Sequence, residues 1–251
     1  MSEVSRDIRF KSDFLDLAVA TATLNPLGAI MTSFVVNGQN ILTPVYDDNG
    51  SPRGGSFWAE PFGPESPEPG ARKHGLLRIN EWISDPVDPT MLRFTDSDRG
   101  LSYELKIWLH ARRQAETINL GQRLIISNST DDYIRIAPAM HPYFNMTIDE
   151  ALKQRFLADR LITRQSVAKA TEFMERGVAT EFSVGGYAVS LSSDMPRRTI
   201  WTPTDGRSVC VEPSLVGQTF AKQQPPVSED EILHPKEFRS FSSAISVKIP
   251  K

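Results

Sequence analysis

The strongest regularity in the chain is a set of short runs in which apolar and polar residues alternate, as in LSYELKIWLHA from Leu101 and TINLGQRLIISN from Thr117. A period of two sends one side of a strand into a core and the other toward water, so these runs predict half-buried β-strands. YAVSLSS, RTIWTP, SVCVEP and SSAISVKI repeat the pattern, with turn residues between them. In MTSFVVNGQNIL the pair Asn37-Gly38 separates two apolar runs, and Asn-Gly tolerates the positive φ angles of a tight hairpin turn. Many short strands with polar breaks predict an all-β sandwich rather than alternating βα units. Helix is scarce, and DEALKQRFLADRLI, residues 149–162, is its best candidate. Residues 49–70 are dense in proline and glycine and cannot form one regular element for long. The aromatics Phe57, Trp58 and Phe62 within them predict an ordered functional loop, because disordered linkers rarely carry such side chains.

Composition narrows the class. A chain of 251 residues is within the size of one all-β domain, and no linker-like shift divides it, so residues 1–251 are read as one domain. The net charge of −3, with basic residues scattered, argues against a nucleic-acid partner. Cys210 is the single cysteine, which excludes an intramolecular disulfide framework and suits a reducing compartment. The first residues lack the basic-then-apolar order of a signal peptide, and no apolar run reaches the roughly 18 residues of a membrane span. A cytoplasmic protein without a membrane partner is the expectation.

Candidate chemistry begins at YIRIAPAMHPYF. Alternation puts Ile134, Ile136 and Met140 on one face and Arg135, Ala137, Ala139 and His141 on the other, so His141 looks out over small neighbours. A surface or hydrogen-bonded structural histidine is the ordinary alternative. In ARKHGLLRINEW, Arg72, His74 and Arg78 surround a glycine, and arginine forks bind carboxylate or phosphate at two points. Upstream, Arg53 beside Gly54-Gly55 offers another anion contact, and Trp58 a flat wall for a sugar ring. Near the end, EILHPKEF places Glu237 at the start of the last strand, where a surface glutamate would be the ordinary explanation.

In order along the chain, RGGSFWAEPFGP, KHGLLRINEW, MHPYFN, TIWTP, SVCVEP and ILHPKE form a set that resembles the aldose 1-epimerase (mutarotase) superfamily. The likeness is greatest to its hexose-6-phosphate branch, whose members read like RGG, HGFAR, H-x-YF, VVWNP, CVEP and L-x-PGE. The resemblance implies an antiparallel β-supersandwich of the galactose mutarotase-like kind and cofactor-independent interconversion of α and β anomers of a hexose or hexose 6-phosphate. It implies His141 as general acid, Glu237 as general base, His74 as a substrate-binding histidine, and Arg53 and Arg78 as phosphate ligands. On that reading Glu237 takes the proton of the anomeric hydroxyl while His141 protonates the ring oxygen, the ring opens, C1–C2 rotates, and closure yields the other anomer. An imidazole with an ordinary pKa of about 6.5 can give and recover a proton near neutrality.

The family's T-D-R-x-Y-like aspartate segment has no counterpart in ATEFMERGVATEF, whose acids are Glu172, Glu175 and Glu181. That departure motivates the alternative of a non-catalytic carbohydrate-binding or sugar-sensing protein on the same fold. A sugar lyase or hydrolase is disfavoured, because no second acid pairs with Glu237 by motif. His110 and His234 read as structural or surface residues, and Cys210 as part of a buried strand. No pair has a ligand spacing such as HxxxH, so no metal site is expected.

Overall fold

The computed structural model describes residues 8–14, 18–43, 54–63, 74–112, 115–175, 177–217 and 228–250. The alternating runs become antiparallel strands. The chain opens with β1 (Ile8–Phe14), β2 (Ala18–Asn25), β3 (Ile30–Val36) and β4 (Gln39–Leu42), and β5 (Ser56–Ala59) emerges from the proline- and glycine-rich segment. The β3–β4 hairpin turns at Asn37 and Gly38, with φ of 49° and 81°, as the Asn-Gly pair predicts. A meander follows: β6 (Ile83–Ser84), β7 (Met91–Asp96), β8 (Leu101–Arg112) and β9 (Thr117–Asn128). Then come β10 (Ile134–Arg135) and β11 (Ala139–Phe144).

The predicted helix over 149–162 is instead two short ones, α1 (Ile148–Leu152) and α2 (Arg155–Ala158), followed by α3 (Arg164–Ala168). Thr147 and Glu150 close a capping box that starts α1. Ile148 and Leu157 are both buried, yet nine positions of a straight helix are about two and a half turns and would set them on opposite faces. The break between the helices brings both inward.

The remaining strands are β12 (Thr171–Met174), β13 (Thr180–Val184), β14 (Tyr187–Ser193), β15 (Arg197–Trp201), β16 (Val209–Ser214), β17 (Ile232–Leu233) and β18 (Phe238–Lys248). Among the described residues, one sheet of nine strands runs β1-β2-β3-β4-β11-β16-β15-β12, with β5 alongside β11 and β3. A second, of seven, runs β13-β14-β18-β9-β8-β7-β6, and β10 pairs with β17 apart from both. The core includes Trp58, Met140, Phe144 and Val211 from the larger sheet with Leu105, Leu124, Ile126 and Ile245 from the smaller, each essentially inaccessible to water. Trp58 on β5 donates its indole N–H to Gln122 Oε1 on β9 at 2.9 Å, tying one sheet to the other through the interior. Among the described residues, no helix is long and apolar enough to cross a membrane.

Candidate active site

The opposite face of the larger sheet carries the titratable groups. On β11, Met140 and Phe144 belong to the main core, and Ala139 and Tyr143 to a second cluster that also holds Phe57 and Cys210. His141 shares the parity of that second set and is buried, with 2% of its surface exposed. The sequence alternation therefore assigned its side correctly. The registers that set Ala139 against Ser214 and Tyr143 against Cys210 put His141 directly across from Glu212 of β16. His141 Nε2 and Glu212 Oε1 are 3.2 Å apart, and Glu212 is fully buried. Adjacent strand residues point their N–H groups to opposite sides, and that of Tyr143 goes to Gly55 O. The donor that Pro142 lacks is accordingly missing on the β16 side, beside this pair.

Aromatic rings fix the imidazole. Phe57, its cross-strand partner on β5, stacks on His141 with centroids 4.9 Å apart, and Tyr143 stacks at 4.8 Å. Trp201 of β15 approaches edge-on at 6.1 Å. His74 approaches the same way at 5.1 Å, so the two histidines meet although 67 positions separate them in the sequence (141 − 74). His74 lies in the left-handed region with φ 63°, donates its N–H to Gly63 O, and stacks on Phe62 at 5.5 Å. Gly75 follows with φ 71°, and a Cβ there would lie 1.8 Å from Glu60 O. Only glycine permits that approach, which brings the His74 turn against the β5 segment.

Glu60 anchors this segment from below. Its buried carboxylate accepts from Arg99 Nη1 at 2.6 Å, from the Tyr103 hydroxyl at 2.9 Å and from the Ala137 N–H at 3.2 Å. Ala137 O in turn accepts the Phe62 N–H, so one buried acid ties the histidine wall to the approach to β11 and to β8 of the second sheet.

The expected site residues divide. His141, His74 and Arg78 come together, with the Arg78 guanidinium carbon 5.9 Å from the Phe57 ring centroid. Arg53 lies outside the described residues. Trp58 does not share this face: strand parity turns it into the core, and its neighbour Phe57 supplies the aromatic wall. Glu237 is not the carboxylate that meets His141. Its side chain accepts the His234 N–H at 2.8 Å and pairs with Arg239 at 3.1 Å, closing the turn before β18. The His234 N–H, and after it Arg239, hold the Glu237 carboxyl below the usual glutamate range.

Glu212 was missed, although an acid between Val211 and Pro213 in a run otherwise suited to burial was a visible anomaly. Two neighbours accompany it: Cys210, in the buried strand the sequence expects, and Thr199, which the sequence does not single out. Cys210 is buried on the same face, where burial and then Glu212 push its thiol well up. Thr199 of β15 sits across from Glu212, fully buried, and its hydroxyl has no hydrogen-bond partner among the described residues. His234 is exposed beside Glu229, as a surface histidine should be.

No protein-family model matches the chain, and no curated protein matches its sequence. Solved structures do match. A galactose mutarotase related enzyme from Lactobacillus acidophilus superposes with a TM-score of 0.67 over 96% of this chain and 97% of its own, at 13% identity. A galactose mutarotase-like protein from Lactobacillus casei gives 0.61 over 96% and 100%, at 12% identity. Such likeness defines an architecture, and the chain has the galactose mutarotase-like β-sandwich fold.

Proposed function

We propose that the protein is a cofactor-independent aldose 1-epimerase acting on a hexose or hexose 6-phosphate, with His141 and Glu212 as its acid–base pair. The observation that carries this reading is the 3.2 Å contact between two buried titratable groups on adjacent strands. Mutarotation moves protons at two oxygens, the anomeric hydroxyl and the ring oxygen, which are bonded to the same carbon. A donor and an acceptor that touch each other suit two oxygens that close. Glu212 as carboxylate takes the hydroxyl proton while His141 as imidazolium protonates the ring oxygen, the C1–O bond breaks, and rotation about C1–C2 exposes the other carbonyl face. Reclosure with the roles reversed gives the other anomer.

The surrounding residues have parts in this scheme. Phe57 and Tyr143 both pack on the imidazole and hold its orientation, and the polar atoms of His74 contact the sugar hydroxyls. Arg78, cationic and beside Phe57, meets the 6-phosphate where the sugar carries one. The test is anomer exchange by NMR on glucose 6-phosphate, glucose and galactose. Wild type should accelerate exchange on at least one of them and His141→Ala should lose the effect. No acceleration over buffer on any aldose would end the proposal.

A further inference from the structure

We propose that His141, Cys210 and Glu212 also form a binding site for a soft divalent cation of the zinc type. One donor atom from each residue lies within 4.8 Å of the others, and all three residues are buried. Imidazole, thiolate and carboxylate together are a donor set that zinc accepts. Tetrahedral coordination at bond lengths near 2.0–2.3 Å needs donor atoms roughly 3.3–3.6 Å apart. The edge from His141 Nε2 to Glu212 Oε1, at 3.2 Å, is close to that length. The Cys210 sulfur, on the same face of β16 as Glu212, lies within 4.8 Å of both other donor atoms.

The fourth position has a partner as well. The Thr199 hydroxyl, fully buried across from Glu212 and without a hydrogen-bond partner among the described residues, is available to a metal-bound water. Linear spacing could not reveal this set, because the ligands come from two strands joined only by sheet register.

Coordination replaces the Cys210 S–H bond by a sulfur–metal bond, and the proton passes to the buffer with no change of oxidation state. The metal takes the same imidazole nitrogen and carboxylate that proton transfer would use, so occupancy and turnover exclude each other. That last consequence rests on the function proposed above, whereas binding itself does not.

The test is titration of the full chain with Co2+ in thiol-free buffer, followed by the d–d bands and the sulfur-to-cobalt charge-transfer band. Wild type should show a saturable one-to-one spectrum with the sulfur band, which Zn2+ abolishes. Cys210→Ser should lose the sulfur band and bind at least tenfold more weakly, with Cys210→Ala as a second variant should the serine perturb folding. His234→Ala, which removes the exposed His234–Glu229 pair, should change nothing. A wild-type spectrum without the sulfur band, an unchanged spectrum in both Cys210 variants, or loss of binding in His234→Ala would overturn the site. The spectrum reads binding directly, so a protein without epimerase activity still gives the answer, and Zn2+ inhibition of anomer exchange is scored separately.

Discussion

Two glutamates compete for the role of general base, and one pair of isosteric substitutions separates them. Glu212→Gln keeps the volume of a fully buried side chain and removes a negative charge 3.2 Å from His141 Nε2. At that distance and an effective dielectric of about 20, the attraction between carboxylate and imidazolium is about 5 kcal/mol. That attraction holds the pair together before proton transfer and is lost once both groups are neutral, so the rate effect comes from the base itself: a positioned acid or base is typically worth roughly a hundred- to ten-thousand-fold, or about 3–5 kcal/mol at about 1.4 kcal/mol per tenfold. Glu212→Gln should therefore slow anomer exchange by at least about a hundredfold, and Glu212→Asp, charged but drawn back by one methylene, should fall between it and wild type.

Glu237→Gln alters only a partly exposed turn whose carboxylate bonds the His234 N–H and Arg239 rather than His141, so the rate of anomer exchange should be essentially unchanged. Its effect belongs to stability and to pH. The carboxyl is held below its ordinary range by the His234 N–H and by Arg239, so its contribution is present above that range and lost as pH falls through the lowered value. Melting temperatures of wild type and Glu237→Gln should differ slightly at neutrality and converge in acid. NMR exchange rates on folded variants, verified by circular dichroism, decide the matter. A Glu237→Gln protein as impaired as Glu212→Gln is predicted to be, beside a Glu212→Gln protein that keeps its rate, would refute the assignment.

Two further expectations concern the wall and its anchor. Removing a charge-assisted contact costs about 1.5–3 kcal/mol, so Arg78→Ala should raise KM for glucose 6-phosphate by roughly ten- to a hundredfold while leaving glucose nearly unaffected. Equal losses for both sugars would mean that Arg78 only supports Phe57. Arg99→Met should leave the buried Glu60 carboxylate without its cation, a change that typically costs about 3 kcal/mol and so lowers Tm by roughly 6–12 °C. Calorimetry with no such drop would show that the Tyr103 hydroxyl and the Ala137 N–H suffice.

Local pattern was enough to read much of the sandwich. YAVSLSS is β14 as written, the Asn-Gly turn is where its φ preference put it, and alternation sent His141 away from Met140. What escaped was non-local. Glu212 becomes His141's partner through a register between segments about seventy residues apart, and nothing in either segment states which strands will be neighbours. The resemblance, lacking that register, pointed to the glutamate in ILHPKE. Trp58 departs from expectation for a different reason: its proline- and glycine-rich segment reads as loop, where parity does not apply, and once β5 is a strand Phe57 and Trp58 must part company. The helix over 149–162 failed because polar spacing looked continuous while the buried residues were out of phase.

That parity means neighbouring residues of one strand serve two separate clusters. Along β11 and β16, Met140, Phe144 and Val211 are constrained by the shape of the interior, and any replacement that fills the same volume can persist there. His141, Tyr143, Cys210 and Glu212 interleave with them on the other side and, on the proposed function, are constrained by chemistry. Every second residue of these central strands could thus be exchanged to suit a new temperature while the candidate site stayed the same. The candidate site could equally change along the other residues without disturbing the main core.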